Sequence, residues 1–455
     1  MSQSLNILLV LAITAFAAWQ YSKDYHEGLM LVIFLLLALP DALEVQLSVS
    51  IPSFTVHRCL LLVTTIAWAT NPDLHKSLRG VPFAGIFLSI TIAYVLSTLL
   101  SENFLVSTKR LFYYATESFL FFMIIQTSVT SDATARRIIR VAGFALLSVA
   151  AFSYIERYAS LRVYQLIPRY RQDYGFEALS GSIGGGGLGG KCLSTYNHPI
   201  LFGVACAVCL CYFLIVMNPS GNKSRDLFHW GASFIAGGAL YFSNSRGPWI
   251  SFVATMLLLC LLFPSRFVKR ALILASLALL VMVIRPGTYE TIHGLSQATL
   301  DKSTVQGSSF QWRFAVFNMA TTKIAQADIF HSLFGFGGGS HIFLNFGDIE
   351  LSTGHVVTME SWDSELCVNL FEQGVIGMGL ILLLHAVFFT RTVRHLMTYR
   401  PQNDAVLFAI ACISVLLLSQ LTVRMFSPQL IYLESIGFAL SSRYLQEYGI
   451  LSSSS

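Results

Sequence analysis

Long apolar stretches alternate with short polar segments along the whole chain. A transmembrane α-helix needs about 20 apolar residues to cross a hydrocarbon core of about 30 Å. The pattern predicts such helices over residues 4–20, 28–45, 57–71, 82–100, 110–127, 138–156, 198–217, 228–243, 248–264, 270–285, 367–390, 404–422 and 427–445. We therefore expect an all-α polytopic integral membrane protein with about 12–14 transmembrane helices.

Composition supports this class and excludes an ordinary soluble domain. Of 455 residues, 55% are hydrophobic and only 12% are charged, and the mean hydropathy is +0.64. The pattern divides the chain into three regions. Residues 1–286 hold transmembrane helices 1–10 and an external loop at 157–197, residues 287–366 form a large external loop, and residues 367–455 hold the C-terminal transmembrane helices and a cytoplasmic tail.

Basic residues recur in every second loop, and this recurrence sets the predicted orientation. Arg136 and Arg266 lie in two of these loops. The positive-inside rule places such loops in the cytoplasm. The intervening segments 157–197, 242–249 and 286–366 then share the outer face of the membrane.

Two arginines fall on that outer face. Arg246 lies in the turn SNSRGPW between two predicted spans, where Pro248 suits the first turn of the second span. Arg313 lies on an amphipathic helix predicted over residues 308–325, which we expect along the membrane interface. Each arginine also has an ordinary explanation, Arg246 as a snorkelling anchor and Arg313 as part of the polar face of its helix.

The first long loop gathers basic residues around a glycine run. In PRYRQDYGFEALSGSIGGGGLGGKCLSTYNHP (168–199) these are Arg169, Arg171, Lys191 and His198. This composition suits a lid over an anionic ligand and suits a disordered external loop equally well. His198, which directly precedes a proline at the start of a span, is more typical of a capping or interface histidine than of a catalyst.

Carboxylates stand just before the span that begins near residue 367. They are Glu360, Asp363 and Glu365, with His355 a few residues earlier. Acidic residues in a first turn interact favourably with the helix dipole, so capping explains them without any function. A carboxylate partly shielded at a membrane edge can also have its pKa raised towards the range of a general base.

Two further patterns carry no predicted ligand site. The glycines of FHSLFGFGGGSHIF (330–343) follow no strand and lie in no βαβ unit, so they indicate an irregular turn and not a nucleotide-binding loop. Cys206, Cys209 and Cys211 have no partner histidine or cysteine at ligand spacing and are expected to be packing residues. We predict no metal site and no cofactor.

The order of these pieces resembles the bacterial O-antigen ligase and polysaccharide polymerase superfamily. The matching pieces are Ser245-Arg246-Gly247, Trp312-Arg313, Gly335-Phe336-Gly337, and NLFEQGVIG with Leu370, Glu372, Gly374 and Gly377. In ligases of the superfamily H-N-x-Y-L precedes the last motif, whereas here Asp363 and Ser364 occupy the histidine and asparagine positions. Asp363 is similar to the residue found in members that look like O-antigen or exopolysaccharide polymerases, so the polymerase branch is favoured.

The resemblance implies a GT-C-type glycosyltransferase architecture in the bacterial inner membrane, with the active site on the periplasmic side. It implies metal-independent transfer of a glycan from an undecaprenyl-type polyprenyl-pyrophosphate donor to a sugar hydroxyl of a second lipid-linked unit. The expected catalytic residues are Asp363 as base and Arg246 and Arg313 on the leaving pyrophosphate. The expected substrate contacts are Arg169, Arg171, Lys191, His198, His355, Glu360 and Glu365.

The predicted function implies a set of binding partners, and two alternative functions compete with it. The expected partners are polyprenyl-pyrophosphate-linked oligosaccharides and membrane lipids, with a chain-length regulator as a further candidate, and no nucleic acid. The rival enzyme is an O-antigen ligase that transfers glycan to a lipid A core or a protein. A lipid or polysaccharide transporter is the rival of another class, disfavoured because the sequence carries no internal repeat and its distinctive polar residues cluster on one face.

Overall fold

The computed structural model describes residues 3–45, 53–75, 80–167, 191–217, 223–284, 294, 297, 305–343, 348–350, 356–358, 362, 364–399, 403–421 and 427–453. In the first half the helices are α1 (Gln3–Lys23), α2 (Tyr25–Ala38), α3 (Val56–Ala69), α4 (Pro72–His75), α5 (Ala84–Leu99), α6 (Phe104–Tyr113), α7 (Phe121–Ser128), α8 (Asp132–Ala159) and α9 (Val163–Leu166), with a π-helix over Tyr114–Leu120. In the second half they are α10 (Pro199–Val216), α11 (Lys223–Phe242), α12 (Arg246–Leu262), α13 (Pro264–Ile284), α14 (Val305–Gln326), α15 (Ile329–Phe334), α16 (Ser340–Phe343), α17 (Glu365–Tyr399), α18 (Asp404–Gln420) and α19 (Pro428–Ser453). Two short antiparallel ladders pair Glu44–Val45 with Phe54–Thr55 and Asp348–Glu350 with Val356–Thr358.

The predicted all-α polytopic membrane class is confirmed. Within the described part of the chain, 5 helices are long and apolar enough to cross a membrane, namely Ser4–Lys23, Asp132–Ala159, Pro199–Val216, Pro264–Ile284 and Glu365–Thr398. Shorter apolar helices cover Tyr25–Ala38, Val56–Ala69, Ala84–Leu99, Arg246–Leu262 and Asp404–Gln420. Every predicted span falls on a helix or a run of helices, although the span predicted over 28–45 ends as a helix at Ala38.

The centre of the bundle is α10. Its sequence PILFGVACAVCLCYFLIV is apolar on every side, which is typical of a helix surrounded by other helices. It packs against α8, α11, α12 and α18, and 89% of its residues are buried. Cys206, Cys209 and Cys211 all lie in this core.

Small residues bring the helices around α10 close to it. A Cβ at Gly203 would lie 2.8 Å from Ser243 Oγ and 2.9 Å from Pro248 Cγ. A Cβ at Gly143 would meet the ring of Tyr212 at 2.1 Å. Such glycines allow helix axes to approach closely, as in membrane proteins generally.

Ion pairs join segments that the sequence assigns to the cytoplasmic side. Arg137 pairs with Glu27 at 2.5 Å, and Arg266 pairs with Asp404 at 2.5 Å. The members of each pair come from distant parts of the chain and meet at one end of the bundle, as the predicted orientation requires.

One buried carboxylate has the structural role expected of an intramembrane acid. Glu117, in the π-helix, accepts a hydrogen bond from Arg58 Nε at 2.8 Å, and the Arg58 guanidinium stacks over Tyr113. A charge inside a bilayer is costly unless it is paired. The pair therefore ties α3 to the π-helix.

Candidate active site

The turn between α11 and α12 places Arg246 at the start of a helix. Asn244 adopts a left-handed conformation with φ +45°, which asparagine tolerates better than most residues. The Trp249 indole then donates to Leu240 O at 2.9 Å and closes the turn. Arg246 is the first residue of α12, half-buried, with Pro248 in the first helical turn as predicted.

A helix is present over the predicted segment as α14, and Arg313 lies on it half-buried. The apolar side of the helix was expected along the membrane interface. Instead Val316 and Ala320 pack against Trp362 and Phe371 in a second core. Helical spacing of three and seven residues puts Arg313 on the same face as Val316 and Ala320, so it is not on a separate polar face.

The segment just before α10 is held by a buried carboxylate. Glu156 Oε2 accepts hydrogen bonds from the backbone N–H groups of Leu193 at 3.0 Å and Ser194 at 2.7 Å. The Cys192 N–H donates to Phe242 O at 3.0 Å. These contacts fix the path of the chain between Lys191 and His198.

A second carboxylate holds the other half of the same segment. Asp41 accepts a hydrogen bond from Asn197 Nδ2 at 2.8 Å. The Tyr164 hydroxyl lies 3.1 Å from Asp41 Oδ1 and 2.8 Å from Thr195 O, and its single proton is shared between these two acceptors. Burial raises the pKa of Asp41 to about 6. Asp41 therefore ties the end of α2 to the residue directly before His198.

These elements bring four of the predicted site residues together. We call Lys191, His198, Arg246 and Arg313 the basic cluster. Desolvation and the charge of Arg246 lower the pKa of Lys191. Burial, together with the charges of Lys191 and Arg313, lowers the pKa of His198 to about 4. The guanidinium groups of Arg246 and Arg313 are also close enough to repel each other.

Two helices begin at the basic cluster. His198 is the N-cap of α10, and Ser245 is the N-cap of α12 directly before Arg246. A helix N-terminus carries about half a positive elementary charge and exposed N–H groups, which favour anions. Positive side chains and positive helix ends thus coincide, and an anion at this position would relieve the repulsion among them.

The glycine-rich segment forms an irregular turn against α17, as predicted. Gly335, Gly337 and Gly339 have φ values of +77°, +95° and +84°. The Gly339 N–H and His341 Nδ1 both contact Glu372 Oε1, at 2.7 and 2.5 Å. Glu372 is buried and holds the glycine-rich turn against α17.

A break in α17 makes this contact possible. Gly374 has φ +66° inside the helix, and a Cβ there would lie 2.5 Å from the carbonyl carbon of Leu333. The carbonyl oxygens of Phe371 and Glu372, just before the break, accept hydrogen bonds from the N–H groups of Phe336 and Gly337, each at 3.1 Å. The two glycine-containing motifs therefore form one interlocked unit.

Predicted acid–base residues are only partly covered by the described chain. Asp363, His355, Glu360, Arg169 and Arg171 lie outside the described residues. Ser364 is buried at the start of α17 and receives the Cys367 N–H at 3.5 Å, so it can act as the cap expected there. Glu365 is in the first turn of α17, near Tyr94 of α5.

Sequence reasoning missed the residues that position the basic cluster. Glu156 and Asp41 were not selected. His341, which contacts Glu372 beside the glycine-rich turn, was also missed. Glu156 and Asp41 fall within or beside predicted spans, where a carboxylate is energetically costly unless it has partners. This position is the sequence signal that could have identified them. Their partners come from distant parts of the chain, which one sequence does not reveal.

Comparison with known families supplies the decisive observation. Residues 231–382 match the Wzy_C family model, described as O-antigen ligase. This region of the chain is therefore similar to the O-antigen ligase family, which supports the predicted resemblance to the ligase and polymerase superfamily. The matched region contains Arg246, Arg313, both interlocked glycine motifs and position 363, whereas Lys191 and His198 precede it. No curated protein matches the chain.

Proposed function

We propose that this protein is a polysaccharide polymerase. It transfers a glycan from a polyprenyl-pyrophosphate donor to a sugar hydroxyl of a second lipid-linked repeat unit. The reaction takes place on the periplasmic face of the bacterial inner membrane, within a GT-C-type helical architecture.

The observation that carries this proposal is the basic cluster. When the glycosidic bond to the carrier breaks, negative charge develops on the leaving pyrophosphate. Arg246 and Arg313 offer fork-shaped guanidinium donors whose geometry matches phosphate oxygens. Donors aimed at developing charge are often the largest single contribution to catalysis. With two guanidinium groups in this role the step is metal-independent.

Asp363 is the proposed base for the attacking hydroxyl. Its two neighbours support this assignment, because Trp362 packs against the face of α14 that carries Arg313, and Ser364 is buried at the start of α17. A base in this segment would stand near the arginines that hold the leaving group. A carboxylate shielded from water there would have the raised pKa that general-base catalysis needs.

The polymerase branch rests on Asp363 standing where ligases of the superfamily have histidine. A ligase would instead move a finished glycan to a lipid A core or a protein. The two enzymes differ in their products. A polymerase makes polymers of many lengths on the polyprenyl carrier, whereas a ligase removes the finished polymer from the carrier, so that loss of the ligase leaves the polymer on it. Clustering of Arg246 and Arg313 at one end of the bundle, away from its middle, disfavours a transporter.

The test uses purified protein in detergent or nanodiscs with a synthetic polyprenyl-pyrophosphate oligosaccharide, and products are resolved by length. Wild type should give a ladder, and Arg246→Ala and Asp363→Asn should each abolish it while remaining folded. A wild-type protein that makes no ladder, but transfers the glycan when a lipid A core is added, would replace the polymerase with the ligase. A ladder that survives Asp363→Asn would remove Asp363 as the base.

A further inference from the structure

The last helix, α19, is enclosed by its neighbours except along one short stripe. Between residues 427 and 442 every side chain is buried except those of Pro428, Ile431 and Glu434. Their spacing of three residues puts them on one side of the helix. One turn further along, Phe438 packs against three other rings, those of Phe83, Phe87 and Phe388. The stripe is therefore closed at that end and open towards Pro428.

The open end of the stripe lies on the predicted outer side of the bundle. The preceding helix, α18, begins at Asp404, in one of the cytoplasmic ion pairs, and runs for 17 residues to Gln420. Such a helix is about 25 Å long, so its end and the start of α19 are near the opposite face. Ser419 Oγ also donates to Ser251 Oγ at 3.1 Å on α12, the helix that begins with Arg246. The stripe and the basic cluster are therefore on the same side of the membrane.

Three polar side chains meet beside the stripe, and we call Gln420, Glu434 and His385 the polar trio. Gln420 Nε2 donates to Glu434 Oε1 at 3.1 Å, and His385 Nε2 lies 3.3 Å from the same oxygen. His385 Nδ1 donates to Ile381 O at 2.9 Å, which orients the ring. Gln420 and His385 are buried, whereas 23% of the Glu434 side chain is exposed.

The polar trio has acceptor oxygens to offer a ligand. Gln420 Oε1 is buried and has no hydrogen-bond partner in the described part of the chain. Both contacts of Glu434 within the trio are made by Oε1, which leaves Oε2 on a side chain that is open to the stripe. Buried polar groups are nearly always paired, and a carboxylate within a span typically marks a path for a substrate or an ion. A ligand with neutral hydroxyl donors would satisfy both oxygens, whereas the carboxylate would repel a phosphate.

We infer that the polar trio binds a sugar ring of the glycan through its hydroxyl groups. The choice of a sugar rests on the proposed function. A sugar offers several neutral O–H donors to Glu434 and Gln420, and its C–H face suits the apolar side chains of Pro428 and Ile431. The basic cluster and the polar trio thus divide the work, since one holds pyrophosphate and the other holds sugar.

The first test asks whether the stripe is open to water on the outer side. Glu434→Cys and Ile431→Cys should each react with a membrane-impermeant maleimide added to intact spheroplasts. Gln446→Cys, near the other end of α19, should remain unlabelled, and wild type gives the background from the native cysteines. If neither Glu434→Cys nor Ile431→Cys is labelled above that background, the stripe is closed and the inference is overturned.

The second test asks whether a sugar occupies the stripe. The probe is the synthetic oligosaccharide of the polymerase assay without its polyprenyl pyrophosphate. It should slow the labelling of Ile431→Cys and raise the unfolding temperature of wild type, Arg246→Ala and Gln446→Ala. Glu434→Ala should bind it about ten- to a hundredfold more weakly, as for a lost hydrogen bond to a charged group. Glu434→Gln, which keeps an acceptor oxygen and the shape of the side chain, should lose less.

The outcomes separate this inference from the proposed function. If wild type builds a ladder but the oligosaccharide neither slows labelling nor stabilises the protein, the trio is structural and only the inference fails. Binding that is equal in wild type, Glu434→Ala and Glu434→Gln would also overturn the inference. If the oligosaccharide binds as expected but no ladder forms, the sugar site stands and the polymerase fails. If wild type neither binds it nor forms a ladder, both fail.

Discussion

The two ends of α10 carry arginines in opposite electrostatic settings. At its C-terminal end the Leu214 and Ile215 carbonyls accept hydrogen bonds from Arg270 and Arg266, and Arg266 also pairs with Asp404. Positive charge is favourable there because a helix C-terminus is negative. At its N-terminal end Arg313 and Lys191 act on His198, where the helix end is itself positive.

This contrast teaches how to separate structural from functional cations. The first end is satisfied by the protein's own carbonyls and a carboxylate. The second gathers positive side chains at two helix N-termini, and helix N-termini favour bound anions. Arg246 and Arg313, at the second end, are therefore the candidates for catalysis.

The largest expected effect comes from removing one arginine at each end. Arg246→Ala or Arg313→Ala should lower kcat/KM for glycan transfer about a hundred- to thousandfold, the usual loss for one donor to developing negative charge. Arg266→Ala should leave kcat/KM of the folded fraction close to wild type and lower the unfolding temperature, because it leaves Asp404 without its partner. If Arg266→Ala impaired transfer as strongly as Arg246→Ala, the distinction between the ends would be lost.

The next test concerns the break in α17. Gly374→Ala should greatly reduce the folded yield, since φ +66° alone costs an alanine about 1–2 kcal/mol and the new Cβ meets the backbone of Leu333 at 2.5 Å. Gly379 lies further along the same helix with nothing within 4 Å of a Cβ. Gly379→Ala should therefore be neutral or stabilising by up to about 1 kcal/mol. Size-exclusion profiles and unfolding temperatures in detergent measure both, and equal behaviour of the two variants would contradict this account.

A smaller effect is expected where Glu156 positions the segment before α10. Glu156→Ala leaves the Leu193 and Ser194 N–H groups buried without their acceptor, which costs about 1–3 kcal/mol each. We expect KM for the donor to rise roughly tenfold with a smaller change in kcat, because Lys191 and His198 lose their fixed position. Glu156→Gln keeps one acceptor oxygen and should fall between wild type and Glu156→Ala. An unchanged KM in Glu156→Ala would show that the segment before α10 does not contribute to donor binding.

The smallest expected effect is on the pH dependence of stability. His198 stays neutral in the folded protein down to about pH 4, whereas in the unfolded chain it titrates near 6.5. Protons therefore bind the unfolded state first, and the stability associated with neutral His198 is lost as the pH falls from about 6.5 towards 4. Asp41, with its pKa raised to about 6, acts in the opposite sense, because its contribution is lost as the pH rises towards 6.

His198→Ser isolates the histidine contribution. The unfolding temperature of wild type should fall more steeply than that of His198→Ser between pH 7 and pH 5. Parallel curves would mean that His198 titrates alike in the folded and unfolded states.

Much of this arrangement could be predicted from local sequence. Hydropathy predicted the spans because a helix that crosses a bilayer must be long and apolar. Pro248 predicted the start of a helix, and the glycines of residues 330–343 predicted an irregular turn. The loop assignment by basic residues placed Arg246 and Arg313 on one face, and the structure brings them together. What sequence could not supply were contacts between distant segments, such as Glu156 with residues 193 and 194. The packing of Val316 against Trp362 is another contact between distant segments, and it lies on a helix that was expected at the membrane interface.

The central claim is that the basic cluster is the site of the donor pyrophosphate. The most direct measurement is the unfolding temperature of purified protein with and without polyprenyl pyrophosphate, for wild type, Arg313→Ala and Arg136→Ala. Arg136 is an exposed arginine near the start of α8, on the face predicted to be cytoplasmic, and serves as the charge-matched control. A ligand that binds only the folded state at 100 times its Kd adds about 2.7 kcal/mol of stability. The account predicts such a stabilisation for wild type and Arg136→Ala and its loss in Arg313→Ala, whereas an equal shift in all three proteins would contradict it.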